Sequence, residues 1–560
     1  MRLHDPTPKR EKTDLRGVWR FWPDPEDVGI GQGYQDGLPD EAALTLVPSC
    51  WNTKAGLRDY RGAAWYEKKF YGKPGAGVLL RFDGVCYYSQ VWLNGQELGT
   101  HSGGFSPFWF VVELQGENRL VVRADNRWGK WVLPGAHEFS VDWQMYGGIA
   151  RDVWCEQVPT VFIEDVRIAT TGSGKMKAVV RLMNRHEEPA RVPVALHVSG
   201  ETLAGVEARL DGNAREAIEL ETRIGNPRLW GLGAPNLYDI SVTAGGDERR
   251  TRIGFREISY DGPALKVNGG EVFLRGINRH DDHPDWGHAI PPGLLLKDIE
   301  LIQDMGCNAI RGAHYPPDEL VLDLCDERGI AFFEEVPAYQ LSVEQLGSEQ
   351  TKLAIRQMLD EMIGRDFNHA CVMAWGVLNE AETQIESERA RATVGELADH
   401  VRALDPTRPV TYCSAVRGED DKYFDLVDLV CINEYLGWYR GTPAELPALL
   451  NRCREVWPDK PLLVTEFGAA AIEGFHSADA VKWSEEGQEK FLRETMEILL
   501  KRKDLSGCFI WQMADVEVVP ERAMQRPRTK NNKGILSGHR CPKLSYWTAK
   551  RLYERKRKHE

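Results

Sequence analysis

The pattern of hydrophobic and polar positions changes twice along the 560 residues of the chain. Over residues 1–160, short alternating apolar runs such as GVLLRFDGV and NRLVVRADN are separated by Gly, Asn and Pro. The run at 89–93 leads into Asn94 and Gly95, a pair that favours the positive φ angles of a type I′ hairpin. Many short strands at this spacing predict a β-sandwich.

Residues 161–258 also alternate, but they contain fewer aromatic residues. Runs such as VFIEDVRIAT, MKAVVRLMN and AIELETRI recur over some hundred residues and predict a second sandwich, of the immunoglobulin-like type. Since this segment lacks aromatic and charged clusters, we interpret it as a spacer without chemistry.

From residue 259 to residue 560 the pattern becomes a strand followed by a helix, repeated. Amphipathic stretches such as LLLKDIELIQDMG separate most of the apolar runs. The eight runs are VFLRGIN, NAIRGAHY, IAFFEEVP, CVMAWGVLNE, PVTYCSA, LVCINEY, PLLVTEFG and GCFIWQMAD. Eight such units in about 300 residues predict a (β/α)8 TIM barrel. A doubly wound sheet is the structural alternative, although it rarely needs eight strands.

Charge and hydropathy exclude several classes of protein. The net charge is −14, from 70 Lys and Arg against 84 Asp and Glu, which argues against a nucleic-acid partner. The basic run at the C-terminus is interpreted as a solvated helix end. No stretch has the ~18 consecutive apolar residues of a membrane helix, and the N-terminal residues lack the apolar segment of a signal peptide. We therefore expect no membrane association and a cytoplasmic location.

Cysteine and histidine spacing gives no metal signature. The eleven cysteines include no C-x-x-C pair, and several lie in apolar runs, as expected for buried thiols in a reducing compartment. His280 and His283 are three residues apart, but no further ligands complete a site. We expect no metal and no cofactor.

Polar residues close most of the apolar runs, at the end of the barrel where active groups belong. Glu380 closes the fourth run and Glu466 lies near the end of the seventh, and a carboxylate there is hard to explain by packing. Two carboxylates converging beside Trp and Tyr are suited to glycoside hydrolysis, in which one is protonated and the other is ionised. Aromatic faces also suit the apolar faces of a sugar ring.

These motifs identify a resemblance to glycoside hydrolase family 2, which contains β-galactosidases, β-glucuronidases and β-mannosidases. The resemblance extends along essentially the whole chain and implies an N-terminal sugar-binding-like jelly roll, an immunoglobulin-like sandwich and a catalytic TIM barrel. The matching segments are VWLNG at 91–95, DWQMYGGI at 142–149, LRGINRH at 274–280, RGAHYP at 311–316, NH at 368–369, Trp375, NE at 379–380 and TEFG at 465–468.

The resemblance also implies roles for individual residues. Glu380 would be the general acid/base and Glu466 the nucleophile of a retaining mechanism, with the two carboxyl groups ~5–5.5 Å apart. Asn379 would hold the sugar 2-hydroxyl, and Tyr435 would lie against the nucleophile. His280, His314 and Trp511 would line the pocket. For Glu334 and Glu335 we expect a structural role in the barrel floor.

A second resemblance concerns the substituent at C6 of the sugar. Asn531 and Lys533, in the segment NNKG, resemble the Asn-x-Lys motif with which β-glucuronidases grip the substrate carboxylate, and Tyr439 ends a similar Tyr-rich segment. Lysine provides a point charge and the amide provides a directed donor. The alternative is that NNKG is only a turn, because these residues are common in turns.

Several positions depart from the β-glucuronidase pattern. Glu434 stands where those enzymes often carry Arg, so we expect its side chain to point away from a uronate. Val141 replaces a histidine, which leaves Asp142 to reach the 4-hydroxyl without its companion. Arg526 or Arg528 could add a contact to the uronate. These departures leave glucuronide and galacturonide both open.

The leading hypothesis is a retaining exo-β-glucuronidase acting on a small-molecule glucuronide or a uronic-acid-terminated saccharide. Within the family, the alternatives are a β-galacturonidase and a β-galactosidase. A non-catalytic carbohydrate-binding protein is the alternative from another class, and the presence of both Glu380 and Glu466 argues against it. By resemblance we also expect a homo-oligomer, a dimer or a tetramer.

Overall fold

The computed structural model describes residues 3, 5–127, 133–134 and 141–558. These residues group into two compact units, one made of residues 1–127, 146–256 and 361–370 and the other of residues 128–145, 257–360 and 371–560. None of the described helices combines the length and apolarity needed to cross a membrane. All eleven cysteines are free, and every one except Cys541 is buried, as the sequence predicted.

The first unit contains the two predicted β-sandwiches. Strands β1–β12 form mainly a four-stranded sheet in the order β1-β12-β5-β9 and a six-stranded sheet in the order β3-β2-β4-β10-β7-β8. Their bounds are β1 Lys12–Asp14, β2 Gly17–Asp24, β3 Ala43–Val47, β4 Ala63–Tyr71, β5 Gly77–Phe82, β6 Val85–Cys86, β7 Tyr88–Leu93, β8 Gln96–Ser102, β9 Phe108–Glu113, β10 Glu117–Asp125, β11 Gly148–Ile149 and β12 Val153–Gln157. Asn94 and Gly95 have φ angles of 54° and 81°, so the predicted hairpin between β7 and β8 is confirmed.

Seven strands form the second sandwich, in sheets ordered β13-β14-β17 and β16-β15-β18-β19. Alternate residues of these strands enter one apolar core that includes Ile163, Val180, Leu196 and Val242. The bounds are β13 Val161–Thr170, β14 Lys175–Asn184, β15 Ala190–Val198, β16 Glu201–Leu210, β17 Arg215–Arg223, β18 Tyr238–Ala244 and β19 Asp247–Ile253.

The second unit is a closed barrel of eight parallel strands, β23 to β30, so the predicted TIM barrel is confirmed. Each of the eight apolar runs is one of these strands, and β23 pairs with β30 to close the ring. The strands are β20 Ile258–Ser259, β21 Lys266–Val267, β22 Gly270–Glu271, β23 Leu274–Arg279, β24 Ala309–Gly312, β25 Ala331–Glu335, β26 Val372–Asn379, β27 Val410–Ser414, β28 Val430–Asn433, β29 Leu462–Phe467, β30 Gly507–Ile510, β31 Val516–Glu517 and β32 Lys530–Asn531.

Helices follow most of the barrel strands. Helix α2 begins after Asp318, whose side chain accepts from the backbone of Leu320, and ends at Gly329 with a φ of 63°, as the sequence pattern indicated. The helices are α1 Pro292–Asp304, α2 Glu319–Arg328, α3 Val343–Leu346, α4 Glu349–Asp366, α5 Glu388–Leu404, α6 Leu446–Val456, α7 Glu485–Leu499 and α8 Leu544–Arg557.

A buried ion cluster joins helix α1 to strand β23 and to the segment before helix α8. Asp298 of α1 has no solvent exposure and accepts hydrogen bonds from Arg279 at 2.9 Å and from Arg540 at 2.8 Å. Burial acts to raise the pKa of Asp298, but the charges of Arg540 and Arg279 outweigh it and hold that pKa below its usual value. The carboxylate is therefore ionised and bound on two sides.

Asp298→Asn is expected to destabilise the protein by about 3–5 kcal/mol, because it takes the carboxylate from the buried guanidinium of Arg540 and leaves that of Arg279 paired with Asp281 alone. Chemical denaturation followed by fluorescence measures the shift. Asp304→Asn on the same helix is the matched control. Asp304 is half exposed and pairs with Lys550, so its removal should cost about 0.2–1 kcal/mol. Equal shifts for the two variants would contradict a bracing role for Asp298.

Candidate active site

A cavity of about 510 Å³ opens at the C-terminal ends of the barrel strands. Its wall is formed by side chains at or after the strand ends, together with the segment at 142–143, all of which belong to the second unit. The lining residues are Asp142, Trp143, His314, Tyr339, Gln340, Glu380, Ala415, Asn433, Glu434, Tyr435, Tyr439, Arg440, Glu466, Trp511, Arg522, Gln525, Arg526 and Lys533.

Glu380 and Glu466 both reach this cavity and have different hydrogen-bond partners. Glu380, directly after β26, accepts from the side-chain amides of Gln340 and Asn433, each at 2.9 Å. Glu466, in β29, accepts from Arg311 Nη1 at 2.7 Å and from the hydroxyl of Tyr435 at 2.6 Å. The predicted contact between Tyr435 and Glu466 is therefore present.

The environment of Glu466 changes its protonation. Burial, and after it the negative charge of Glu380, raise the pKa of Glu466 to about 8, while Arg311 and Tyr435 act in the opposite direction. Since this pKa lies above neutral pH and like charges close together repel each other, the pair retains one proton at neutral pH. Such a pair has the components of acid-assisted nucleophilic displacement.

The backbone of Glu380 lies in the left-handed region, with a φ of 50°. For a residue other than glycine this conformation costs about 1–3 kcal/mol and persists only where neighbouring contacts impose it. The backbone N–H of Glu380 donates to Cys413 O on the adjacent strand at 2.7 Å. The direction of the Glu380 side chain is therefore set by the loop after β26 and by the contact with β27, as well as by β26 itself.

Arg311 of β24 lies beneath the pair and organises it. This fully buried guanidinium donates to Glu466, to Asn379 Oδ1 at 2.8 Å and to both oxygens of Glu335 at 2.8 and 2.9 Å. Glu335 is also 2.8 Å from His314 Nδ1. Glu335 therefore lies at the C-terminal end of β25, where it shares Arg311 with Glu466, and not in the barrel floor; its structural role stays a prediction. A buried arginine closing a strand needs such a partner, which was a signal present in the sequence.

Aromatic rings form part of the cavity wall. Trp511 stacks on His314 with ring centroids 5.1 Å apart, and Trp143 lies 5.4 Å from His314. His280 lies behind Trp511 and is bonded to the hydroxyl of Tyr315 at 3.1 Å, so it supports the wall without lining it. Burial lowers the pKa of both histidines well below the usual value, which leaves both rings neutral.

Lys533 extends its ammonium to the wall although it is only 2 % exposed. Its Nζ donates to the hydroxyl of Tyr439 at 2.8 Å and lies 5.5 Å from the ring centre of Tyr435. Among the residues that the structure describes, no carboxylate pairs with Lys533. A buried cation with only neutral partners is costly, unless a ligand supplies the missing negative charge.

Asp142 and the loop before β32 form a second polar group. Arg526 grips both oxygens of Asp142, with Nε at 2.8 Å from Oδ1, and Asn531 Nδ2 donates to Oδ2 at 2.9 Å. Asn531 therefore faces Asp142 and does not line the wall, which differs from its predicted place beside the uronate. Of the two arginines that were open, Arg526 reaches the wall, whereas Arg528 donates to the backbone of Glu473.

Glu434 contributes to the cavity wall, and its expected direction away from a uronate stays a prediction. One oxygen accepts from the backbone of Tyr435 and the other lies 3.2 Å from Arg440 Nη2. Arg440 therefore compensates for the negative charge of Glu434, which stands where β-glucuronidases often carry arginine.

Eight of the eleven site residues predicted from the sequence line the cavity, and His280, Asn379 and Asn531 lie directly behind it. The Nδ2 of Asn379 is buried and finds no acceptor in the described part of the chain. Sequence reasoning assigned no role to Trp143, Tyr339, Gln340, Ala415, Asn433, Arg440, Arg522 and Gln525.

Three family models match consecutive ranges of the chain. Residues 12–159 match "Glycosyl hydrolases family 2, sugar binding domain", residues 161–256 match "Glycosyl hydrolases family 2", and residues 259–557 match "Glycosyl hydrolases family 2, TIM barrel domain". Among curated relatives, a β-glucuronidase from Paenibacillus borealis is 29% identical over 96% of both chains. A β-glucuronidase from Rattus norvegicus is 29% identical over 98% of this chain and 91% of its own length.

Solved structures of similar proteins contain uronic acids. A family 2 β-galacturonidase from Eisenbergiella tayi, bound to galacturonate, has a TM-score of 0.92 and 32% identity over 99% of both chains. A β-glucuronidase from Ruminococcus gnavus, in complex with D-glucuronic acid, has a TM-score of 0.85 and 27% identity over 99% of both chains.

Proposed function

The chain belongs to glycosyl hydrolase family 2 and is a glycoside hydrolase, and from this premise we propose that it is a retaining exo-β-uronidase whose preferred substrates are β-D-glucuronides. The observation that carries the proposal is the buried ammonium of Lys533 on the wall of the catalytic cavity, which has no carboxylate partner among the described residues. A uronate supplies the missing charge, whereas a neutral sugar leaves it uncompensated.

In the first step, a carboxylate oxygen of Glu466 attacks the anomeric carbon. The bond from that carbon to the glycosidic oxygen breaks, and the proton of Glu380 passes to the departing oxygen. Arg311 and Tyr435 both donate to Glu466 and favour its ionised form, so we assign the shared proton to Glu380. The product of this step is a covalent glycosyl-enzyme and a free alcohol.

In the second step, Glu380 takes a proton from a water molecule, whose oxygen attacks the same carbon and releases Glu466. Two displacements retain the anomeric configuration. The Nδ2 of Asn379, for which the described residues offer no acceptor, would donate to the sugar 2-hydroxyl, a contact that strengthens as the transition state forms.

Galacturonides are the second candidate substrates. The similarity to the β-galacturonidase from Eisenbergiella tayi supports them, and the two uronic acids share the carboxylate that Lys533 would bind. They differ at C4, where the Asp142 and Arg526 pair offers both an acceptor and donors. A β-galactosidase is disfavoured, because its substrate lacks the carboxylate.

Initial rates on the p-nitrophenyl β-glucuronide, β-galacturonide, β-galactoside and β-mannoside test the proposal, with Glu466→Ala as the blank. A preference for either uronide by orders of magnitude supports binding of the substrate carboxylate by Lys533, and the ratio between the two rates shows which uronic acid is preferred. A preference for galactoside would overturn the proposal. Silence on all four would favour a binding protein without catalysis.

The rate is expected to fall as the pH rises through about 8, because the pKa of Glu466 in the pair is about 8 and the pair loses its last proton there. Below that pH the general acid is protonated, and above it the proton is lost. We therefore expect kcat/KM to decrease on the alkaline side of its pH profile. The measurement is a pH–rate profile with the preferred uronide.

Glu380→Ala provides the control for this profile. On the same uronide as the wild-type profile, the residual activity of the variant should lack the alkaline limb, since no proton donor remains to titrate. A limb that persists near pH 8 in the variant would show that another group is responsible.

A further inference from the structure

A buried carboxylate next to the cavity has no part in the mechanism above. Asp421 is 4 % exposed and accepts hydrogen bonds from the hydroxyls of Thr383 and Tyr412, each at 2.5 Å, and from the backbone N–H of Tyr423 at 2.9 Å. All three donors are neutral. Burial raises the pKa of Asp421, and the hydrogen bonds from Thr383 and Tyr412 act against that shift.

This carboxylate joins two loops of the barrel mouth. Thr383 lies three residues beyond Glu380 in the loop after β26, whereas Asp421 lies in the loop after β27. A second contact reinforces the link, because the backbone N–H of Lys422 donates to Thr383 O at 3.0 Å. The hydroxyl of Thr383 also lies 3.3 Å from Ser414 Oγ, at the end of β27.

The loop that Asp421 holds is the one that directs Glu380. On its N-terminal side the loop is fixed by Asn379, whose N–H donates to Ala338 O at 2.9 Å, and by the bond from Glu380 N to Cys413 O. On its C-terminal side the bond from Thr383 to Asp421 is the side-chain anchor, beside the backbone bonds from Lys422 N to Thr383 O and from Glu382 N to Leu341 O. Because the φ of 50° at Glu380 needs restraint on both sides, loss of the second anchor should let the carboxyl drift.

We propose that Thr383 and Asp421 are positioning residues that aim the carboxyl of Glu380 at the glycosidic oxygen. The inference rests on the proposed role of Glu380 as the acid. Neither residue lines the cavity, so each would act on the reaction through Glu380 without touching the substrate.

The need for a positioned acid depends on the leaving group. A phenol or an alkyl alcohol must be protonated as it departs, whereas dinitrophenolate leaves unaided. A misplaced acid therefore slows poor leaving groups selectively. A general loss of folded protein, or damage to the nucleophile, slows all of them alike.

Thr383→Val tests this, since valine has nearly the same shape and lacks only the hydroxyl. The first-step rate constant is measured on dinitrophenyl, p-nitrophenyl and phenyl uronides. We expect a loss on the order of tenfold for the phenyl uronide, within the 10²–10⁴-fold reach of general acid catalysis, and a loss below about twofold for the dinitrophenyl uronide. Thr383→Ser, which restores the hydroxyl, should recover the phenyl uronide.

Tyr412→Phe is the matched control. It also removes one hydroxyl bond to Asp421, but Tyr412 lies on β27 and not in the loop of Glu380, so its effect should be the same for every leaving group. An equal loss across the series for Thr383→Val would overturn the inference.

Glu380→Ala separates this inference from the proposed function. If Glu380→Ala shows the dependence on leaving group and Thr383→Val does not, only the positioning role fails. If Glu380→Ala shows none, the acid role of Glu380 fails and the positioning role fails with it.

Discussion

Glu466→Gln is expected to lower kcat on the preferred uronide by on the order of 10⁴- to 10⁶-fold, as loss of one member of a catalytic unit does in other hydrolases. The amide keeps the shape of the side chain but is too weak a nucleophile to attack the anomeric carbon. Its partners Arg311 and Tyr435 would remain in place. The measurement is the steady-state rate of p-nitrophenol release, with enzyme concentrations high enough to resolve the residual rate.

Two further observations make this result specific. A 2-fluoro uronosyl fluoride should add one sugar mass to a peptide containing Glu466 in the wild-type protein, because the fluorine slows the second step. The same treatment of Glu466→Gln should add nothing. A loss of less than tenfold, or an adduct on another residue, would mean that the nucleophile has been assigned wrongly.

Lys533→Met is expected to lower kcat/KM for the uronide by on the order of 10²- to 10³-fold, because a substrate carboxylate then enters a buried site without its counter-charge, at a cost of about 3–4 kcal/mol. The neutral galactoside lacks that carboxylate, so its kcat/KM should change by less than about threefold. The measured quantity is the ratio of the two values of kcat/KM, which cancels any loss of folded protein.

Lys530→Met is the matched control for this substitution. Lys530 lies in the same loop, at the start of β32, and its ammonium is 3.5 Å from Glu517 and does not line the cavity. The ratio should stay unchanged in this variant. If Lys533→Met slows the uronide and the galactoside alike, Lys533 serves the loop and does not read the substrate.

The barrel could be predicted from the sequence because buried parallel strands read as unbroken apolar runs. Every residue of β26 is buried, and so is every residue of β29, so no polar position obscured the run. The change at its end, from apolar residues to Asn379 and Glu380, gave the position of the cavity as well. For the two carboxylates, the strand order placed them on one rim and the family resemblance assigned their roles.

What the sequence did not predict depends on partners far apart in the chain. Asp142 and Arg526 are separated by 384 positions, and no local pattern indicates that this arginine pairs with a carboxylate instead of a uronate. Likewise, Asn531 turns towards Asp142 because that acceptor is near, which a three-residue motif cannot reveal. Tyr339 and Gln340 lie in a loop, where the direction of a side chain follows from packing and not from periodicity.

The ammonium of Lys533 also has a consequence for the end of the catalytic cycle. With the uronide substrates proposed above, the free uronic acid keeps the carboxylate that the substrate carried, so its charge contact with Lys533 would persist when the glycosidic bond breaks. Only the contacts to the departed alcohol are lost. The enzyme would therefore release its sugar product slowly and be inhibited by it as conversion proceeds. The same contact that makes the enzyme select uronides would then limit the rate of product release.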